Sequence, residues 1–363
     1  MRSFDQRVAD RCYKPSDSKS LALSVRSWWC EWRVGLRKIV RKVFTLLFDK
    51  PLPMATAREV ELIDDLRKVF RAIEQQEIGG CTPSESFWRN NMNRLKELVL
   101  NDDPREFLRW DVVRETMFVG NASYISKELD YLKKHKEWDV RWRDAIRELP
   151  TGRPLPFFKY PSSSGNLIHH AYHLARFEDK TNTRIQDMQQ IFEFGGGYGS
   201  MCRLAHRLGF KGKYIIFDLP SFSVLQAFYL KCLDLAVRDA DSFDGVDNGV
   251  FCISDLDALQ TMTPVSGDNS LFIATWSLSE SPIHVRAKVV PFLQRYGAFL
   301  LAYQELFGEV DNVKYFSGLG EDREGIQWSM CQIDHVPKSW YLFGWPKVRE
   351  GAPCHCCSDQ DVV

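Results

Sequence analysis

The run Glu193-Phe194-Gly195-Gly196-Gly197-Tyr198-Gly199 constrains this chain more than any other segment. Apolar residues lead into it from Met188, and a helix-forming stretch, 200–208, follows before Gly209. Glycines at alternate positions permit positive φ and leave no Cβ in the way, so a ligand can lie against the backbone. The following helix aims its N-terminal amides at the same spot, and Gly209 supplies its C-terminal stop. A dinucleotide site would want G-x-G-x-x-G, the third glycine allowing close helix–strand packing. Ser200 stands at that third place, and the spacing is E-x-G-x-G-x-G. No P-loop lysine follows, which excludes a phosphate-cradling loop of that kind. Asp218 ends the next predicted strand in Phe217-Asp218-Leu219-Pro220, 23 residues after Gly195. A carboxylate there can accept both hydroxyls of a ribose.

From Met188 the pattern alternates. Strands are predicted at 189–194, 213–218, 249–254, 270–276 and 298–304, with helices between them. Two last strands, 326–333 and 339–344, flank a short turn at Pro337 and read as a hairpin. Short apolar strands separated by helices indicate an α/β fold with a doubly wound parallel sheet. Residues 54–150 read as all-helical: 55–76 ends at Gly79-Gly80, Ser84-Glu85-Ser86 opens a second helix, and further helices fill 105–149. Such a region is expected to act as a lid, a substrate platform or a homodimer contact. Residues 151–166, rich in Gly, Pro and Ser, read as a loop opening the catalytic domain, 151–350.

Net charge is zero, which argues against a nucleic-acid partner. The balance is uneven: residues 1–50 carry 12 Lys/Arg against 5 Asp/Glu. Within the extension 1–53, Val25, Trp29, Trp32, Leu36, Ile39, Val43 and Leu47 recur at helical spacing over 21–48, with Arg26, Arg33, Arg37 and Arg41 mainly off that stripe. Two readings stand: an interfacial helix giving peripheral contact at the inner membrane face, or a helix packed on protein. Ten scattered cysteines suggest free thiols of a reducing cytosol. No apolar run approaches the roughly 20 residues needed to span a bilayer, so a cytoplasmic location is expected. The tail 351–363, with Cys354-His355-Cys356-Cys357, lacks a second zinc-finger pair and predicts no metal site.

Ligands of open α/β sheets bind beyond the carboxyl ends of the strands. Trp276, Ser277 and Glu280, after the fourth strand, should therefore face the reacting group, and Asp255, after the third, is either an adenine contact or a helix N-cap. Candidates for a proton acceptor are Glu280, His284 and His169. His169 and His173 lie i, i+4 on one helix face, which precedes the glycine motif. With Asn166 and His170 they are expected to touch the acceptor.

The E-x-G-x-G-x-G spacing resembles the class I methyltransferases, whose first motif has this form. That resemblance implies S-adenosyl-L-methionine as cofactor, with Gly195, Gly197 and Gly199 at the methionyl part and ribose. It implies Glu193 beneath the amino-acid tail, with Asp218 and Leu219 at the adenosine side, and a terminal hairpin at one sheet edge. The Asn-Pro-Pro-Tyr motif of many amine methyltransferases is missing, which favours oxygen as acceptor. Together with Asn166-Leu167-Ile168-His169-His170-Ala171-Tyr172-His173, Trp276-Ser277-Leu278-Ser279-Glu280 and the stretch around Phe107-Leu108-Arg109-Trp110, the motifs resemble the sugar O-methyltransferase family of bacteria over about 85–345. The resemblance implies methyl transfer to a sugar hydroxyl of a surface polysaccharide or a glycosylated metabolite. Alternatives are an O-methyltransferase of a non-sugar small molecule, an NAD(P)-dependent oxidoreductase built on the same Gly–Asp unit, and a non-catalytic scaffold.

Overall fold

A computed structural model describes residues 52–73, 83–262, 267–321 and 323–347. The amphipathic stretch 21–48 and the Cys-rich tail lie outside these residues. The main sheet contains β1 (Gln190–Phe194), β2 (Lys213–Phe217), β3 (Gly249–Ile253), β4 (Gly267–Thr275), β5 (Tyr296–Gln304), β6 (Ile326–Gln332) and β7 (Ser339–Pro346). Their spatial order is β6-β7-β5-β4-β1-β2-β3. All run parallel except β7, which is antiparallel to both neighbours. This is a doubly wound, mostly parallel sheet, with the expected hairpin β6–β7 joined to it through β5. The order reverses between β1 and β4, and a crevice opens beyond the strand ends at such a switch point.

Side chains alternate between the two faces of the sheet, as the strand period requires. Ile191, Ile216, Ile273 and Leu300 enter one core, whereas Phe192, Ile215, Phe272 and Leu301 enter the other. Eight of the nine residues of β5 are buried, the continuous apolar run of a strand covered on both faces. The first core is roofed by α5 (Gly165–Thr181), α6 (Ser200–Arg207) and α7 (Pro220–Cys232). The second lies under α8 (Leu256–Thr261), α9 (Ile283–Leu293) and α10 (Asn312–Glu321).

The N-terminal helices are α1 (Ala57–Ala72), α2 (Pro83–Asn101), α3 (Asp111–Thr116) and α4 (Ile125–Lys134). They share the first core, which runs without a break from Ile63 through Leu95 and Leu129 to Phe343. α1 opens with a capping box between Thr56 and Glu59. It stops at Ala72, four residues short of the predicted end, because Ile73 turns to extended backbone. A second correction concerns 151–166: residues Pro156–Phe157 and Tyr160–Ser164 form a small antiparallel ribbon rather than a plain loop. Ser164 then caps α5 by accepting the Leu167 amide at 3.1 Å. β4 also starts earlier than predicted, at Gly267. No helix among the described residues is long and apolar enough to cross a membrane.

Candidate active site

The glycine turn leaves β1 at the switch point. Gly195, Gly197 and Gly199 all have positive φ, at 73°, 58° and 90°. A Cβ on Gly195 would overlap the Ser277 side chain, so the turn after β4 touches the turn after β1 only because this residue is glycine. Ser277 completes the contact by donating its hydroxyl to the Phe194 carbonyl. Gly209 has φ 99° just past α6, the left-handed stop that the sequence demands.

Two carboxylates lie at this turn. Glu193 is 3% exposed and accepts the Tyr214 hydroxyl at 2.8 Å. Burial pushes it up to about 8, against the Tyr214 hydrogen bond and with the Asp218 charge adding to the rise. Asp218 is half-buried; its Oδ1 accepts the Leu219 amide and its Oδ2 the Gln226 side chain, each at 2.8 Å. Burial raises it to about 7, although these donors and the amides of Gly197 and Gly196 oppose the shift. Leu219 is the N-cap of α7, with Pro220 as the first helical residue. Asp255 caps α8 by accepting the Asp257 amide at 2.9 Å, and it borders a surface groove of about 250 Å³.

The turn after β4 is strained and clamped. Trp276 has φ 62°, unusual for a bulky residue. Arg286, fully buried in α9, donates to the Ser281 carbonyl at 2.9 Å and the Ser279 carbonyl at 2.6 Å. Its remaining nitrogen reaches the Asn312 side chain at 2.7 Å. This guanidinium thus holds the loop that carries Trp276, Ser277 and Glu280. Glu280 is half-buried there, its amide bonded to the Trp276 carbonyl at 2.9 Å. His284 stands elsewhere: it is exposed at the start of α9 and faces Glu85 of α2 at 3.8 Å.

His169 and His173 share one face of α5, with their Nε2 atoms 3.0 Å apart. Both rings contact Trp276, that of His169 in a stacked pair at 5.6 Å. His169 Nδ1 meets both oxygens of Glu128, at 2.9 and 3.0 Å, and His335 Nε2 meets Glu128 Oε1 at 2.8 Å. Glu128 is wholly buried, which raises its pKa, but the two histidines outweigh burial and leave it below the ordinary carboxylate range. An ionised Glu128 only accepts, so His169 Nδ1–H and His335 Nε2–H donate to it. With both rings neutral, His169 Nε2 accepts from His173 Nε2–H, and His173 Nδ1 accepts from the Tyr341 hydroxyl. Among the described residues no group of three or more His, Cys, Asp or Glu could hold a metal ion.

On the neighbouring face of α5, Asn166 donates to the Tyr198 hydroxyl at 3.0 Å and to Ser200 Oγ at 3.1 Å. Ser200 Oγ lies 2.7 Å from His170 Nδ1. Burial, with His169 alongside, pushes His170 down to about 3, so it is neutral near pH 7. Asn166 Oδ1 in turn accepts the Val119 amide at 3.0 Å, and Met117 lies 3.3 Å from where a Gly197 Cβ would stand. The segment after α3 therefore roofs the glycine turn, and α2 adds Trp88 against Phe222 at 5.8 Å.

Thus Asn166, His169, His170, His173, Glu193, the three glycines, Asp218, Leu219, Trp276, Ser277 and Glu280 lie on the elements around one switch point, while Asp255 lies on the surface groove beside β3 and His284 stands apart, against α2. Sequence reasoning missed Glu128, His335, Tyr341 and Gln226. Glu128 sits in a charged helix that reads as solvated, and His335 in a turn. Only Gln226 carried a signal, as the one amide among the apolar residues 224–230 that follow the Asp218 motif.

No family model matches this chain, and no curated protein does. Solved structures similar in fold include a precorrin-6y C5,15-methyltransferase from Geobacter metallireducens, at 12% identity and TM-score 0.33, covering 54% of this chain and 94% of that one. The S-adenosylhomocysteine-bound methyltransferase PaMTH1 of Podospora anserina is 10% identical at TM-score 0.31, covering 65% and 92%. The METTL16 methyltransferase domain is 11% identical at TM-score 0.34, covering 53% and 72%.

Proposed function

We propose that this chain is an S-adenosylmethionine-dependent O-methyltransferase whose acceptor is a sugar hydroxyl. The observation that carries the reading is the switch-point site: an all-positive-φ glycine turn facing Ser277, with Asp218 held beside it. The fit to the cofactor is chemical as well as steric. Gly195, Gly197 and Gly199 keep the backbone bare, and Asp218 offers acceptors for a ribose diol. Glu193 lies beneath the turn, and a cationic ligand there would favour the ionised form of a carboxyl that burial otherwise keeps protonated up to about pH 8. S-adenosylmethionine, when bound, supplies an electrophilic methyl carbon on a sulfonium.

The chain's own task is then to position the hydroxyl and to take its proton. His169 is the base of this proposal. Glu128 fixes its tautomer and stabilises the imidazolium, the work a carboxylate does for a histidine base elsewhere. The acceptor hydroxyl must take over the place of His173 N–H at His169 Nε2. His170 and Asn166, tied to Ser200, are the proposed acceptor contacts, and the half-buried Trp276 offers an aromatic face to a sugar ring.

A nicotinamide oxidoreductase is the second reading, and Ser200 weighs against it. Its side chain is buried and engaged by Asn166 and His170 at the point where a dinucleotide site would want a bare glycine. Calorimetric titration with S-adenosylmethionine and with NAD separates the two, and binding of NAD alone ends the methyltransferase reading. Incubation with labelled S-adenosylmethionine and a glycan fraction, followed by mass spectrometry, tests the acceptor. Label found only on non-glycan products would remove the sugar.

A further inference from the structure

Gln226 joins the two halves of the nucleotide motif. Its Nε2 lies 2.9 Å from the Gly197 carbonyl and 2.8 Å from Asp218 Oδ2, so one amide group bridges the glycine turn to the carboxylate. The residue is completely buried in α7, two turns after Pro220. The orientation of its amide is forced. Turned over, Oε1 would face two acceptors, the Gly197 carbonyl and the Asp218 carboxylate, and repel both. In the orientation observed, Oε1 is buried and has no hydrogen-bond partner.

A buried acceptor without a donor is unfavourable, and such a group in a folded protein calls for an explanation. An apolar side chain of the same length would fill the site without that penalty. The cost is offset if the two donated hydrogen bonds serve the site. Leu219 N–H holds Asp218 Oδ1 and Gln226 holds Oδ2, so the carboxylate is fixed through both oxygens. Its plane is thereby set relative to Gly197.

We propose that Gln226 is a cofactor-positioning residue, locking Asp218 to the glycine turn so that the carboxylate meets both hydroxyls of a ribose. The inference rests on the reading of Asp218 as the ribose acceptor. It adds that recognition of the diol depends on a residue that does not itself touch the ribose.

The test uses the full chain, Gln226→Met and Gln226→Glu, with dissociation constants measured by calorimetry. The probes are S-adenosylhomocysteine and its 2′-deoxyribose analogue. The wild type is expected to prefer the diol. Gln226→Met should bind S-adenosylhomocysteine about tenfold more weakly, the scale of one hydrogen bond to a charged group, and should discriminate less between the two probes. A purely structural role would weaken both probes equally and leave their ratio intact, and that result overturns the proposal. Should Gln226→Met fail to fold, Gln226→Glu keeps the shape and sets a second carboxylate against Asp218. It too must lose discrimination, and a wild-type ratio refutes the positioning role. Failure of the wild type to bind S-adenosylhomocysteine instead removes the cofactor assignment itself, which keeps the two outcomes apart.

Discussion

Replacing Gly195 by alanine should damage the fold itself, whereas the same change two residues later should not. Gly195 has φ 73°, and left-handed backbone costs a residue with a Cβ about 1–2 kcal/mol. The added methyl would also overlap Ser277 and stand 2.9 Å from its hydroxyl oxygen. Ser277 must then shift, straining a packed contact at about 1–3 kcal/mol. Its hydrogen bond to the Phe194 carbonyl goes as well, worth about 1 kcal/mol. The total is about 4 kcal/mol, a large fraction of the roughly 5–15 kcal/mol that holds a domain folded. Gly197 has the same backbone requirement, but its nearest neighbour is Met117 Cβ at 3.3 Å, which need give by only a few tenths of an ångström. Gly197→Ala should therefore cost only the backbone part, about 1–2 kcal/mol, while still obstructing a ligand against the turn. Urea unfolding of both variants, compared at equal m-value, reads the difference directly. Equal destabilisation would falsify the claim that the contact between the two turns requires glycine at 195.

Three more outcomes follow from the geometry. Glu193 keeps its proton up to about pH 8 when folded, against 4.5 for an ordinary glutamate. The folded state thus binds more protons between those values, so this contribution is present below pH 4.5 and lost as pH rises towards 8. Unliganded protein should lose stability across about pH 5–8, and Glu193→Gln should flatten the slope of urea midpoint against pH; an unchanged slope refutes the assignment. His169→Gln should keep S-adenosylmethionine affinity yet lower turnover by about 10²-fold or more, with Glu128→Gln in the same direction. Wild-type turnover in His169→Gln would strike His169 from the mechanism. Arg286→Met removes a donor from the Ser281 carbonyl, the Asn312 side chain and the Ser279 carbonyl, leaving the last only the Asn312 amide at 3.4 Å. At about 1–3 kcal/mol for each buried acceptor, the loss should reach about 3 kcal/mol; a thermal melt showing under about 1 kcal/mol would mean that those acceptors find other partners.

The sheet and the glycine turn were legible in the sequence because their demands are local. A strand buried on both faces needs a continuous apolar run, and β5 supplies one. A left-handed turn needs glycine, which stands at 195, 197, 199 and 209. Asp218 is found by counting one helix and one strand from that turn. Even the i, i+4 relation of His169 and His173 follows from helix periodicity alone.

What the histidines do is not local. His169 meets Glu128 across 41 residues, Glu128 meets His335 across 207, and His173 meets Tyr341 across 168. Within its own helix Glu128 is one charge among several, and nothing in its immediate sequence says that it is buried. Its role arises because α4 packs on α5 while the β6–β7 turn closes over both. The same holds for the roof over Gly197, and for Arg286, which reads as a surface cation until Tyr315 and the Ser279 and Ser281 carbonyls surround it. The sequence by itself therefore determined the strand succession, the backbone-bare turn and its acidic partner, since each is a constraint on neighbouring residues. Which side chains share a proton, which one clamps the loop after β4, and how Gln226 ties the turn to Asp218 were decided by tertiary packing. Hydrogen bonds between distant segments form only once the hydrophobic cores have brought those segments together.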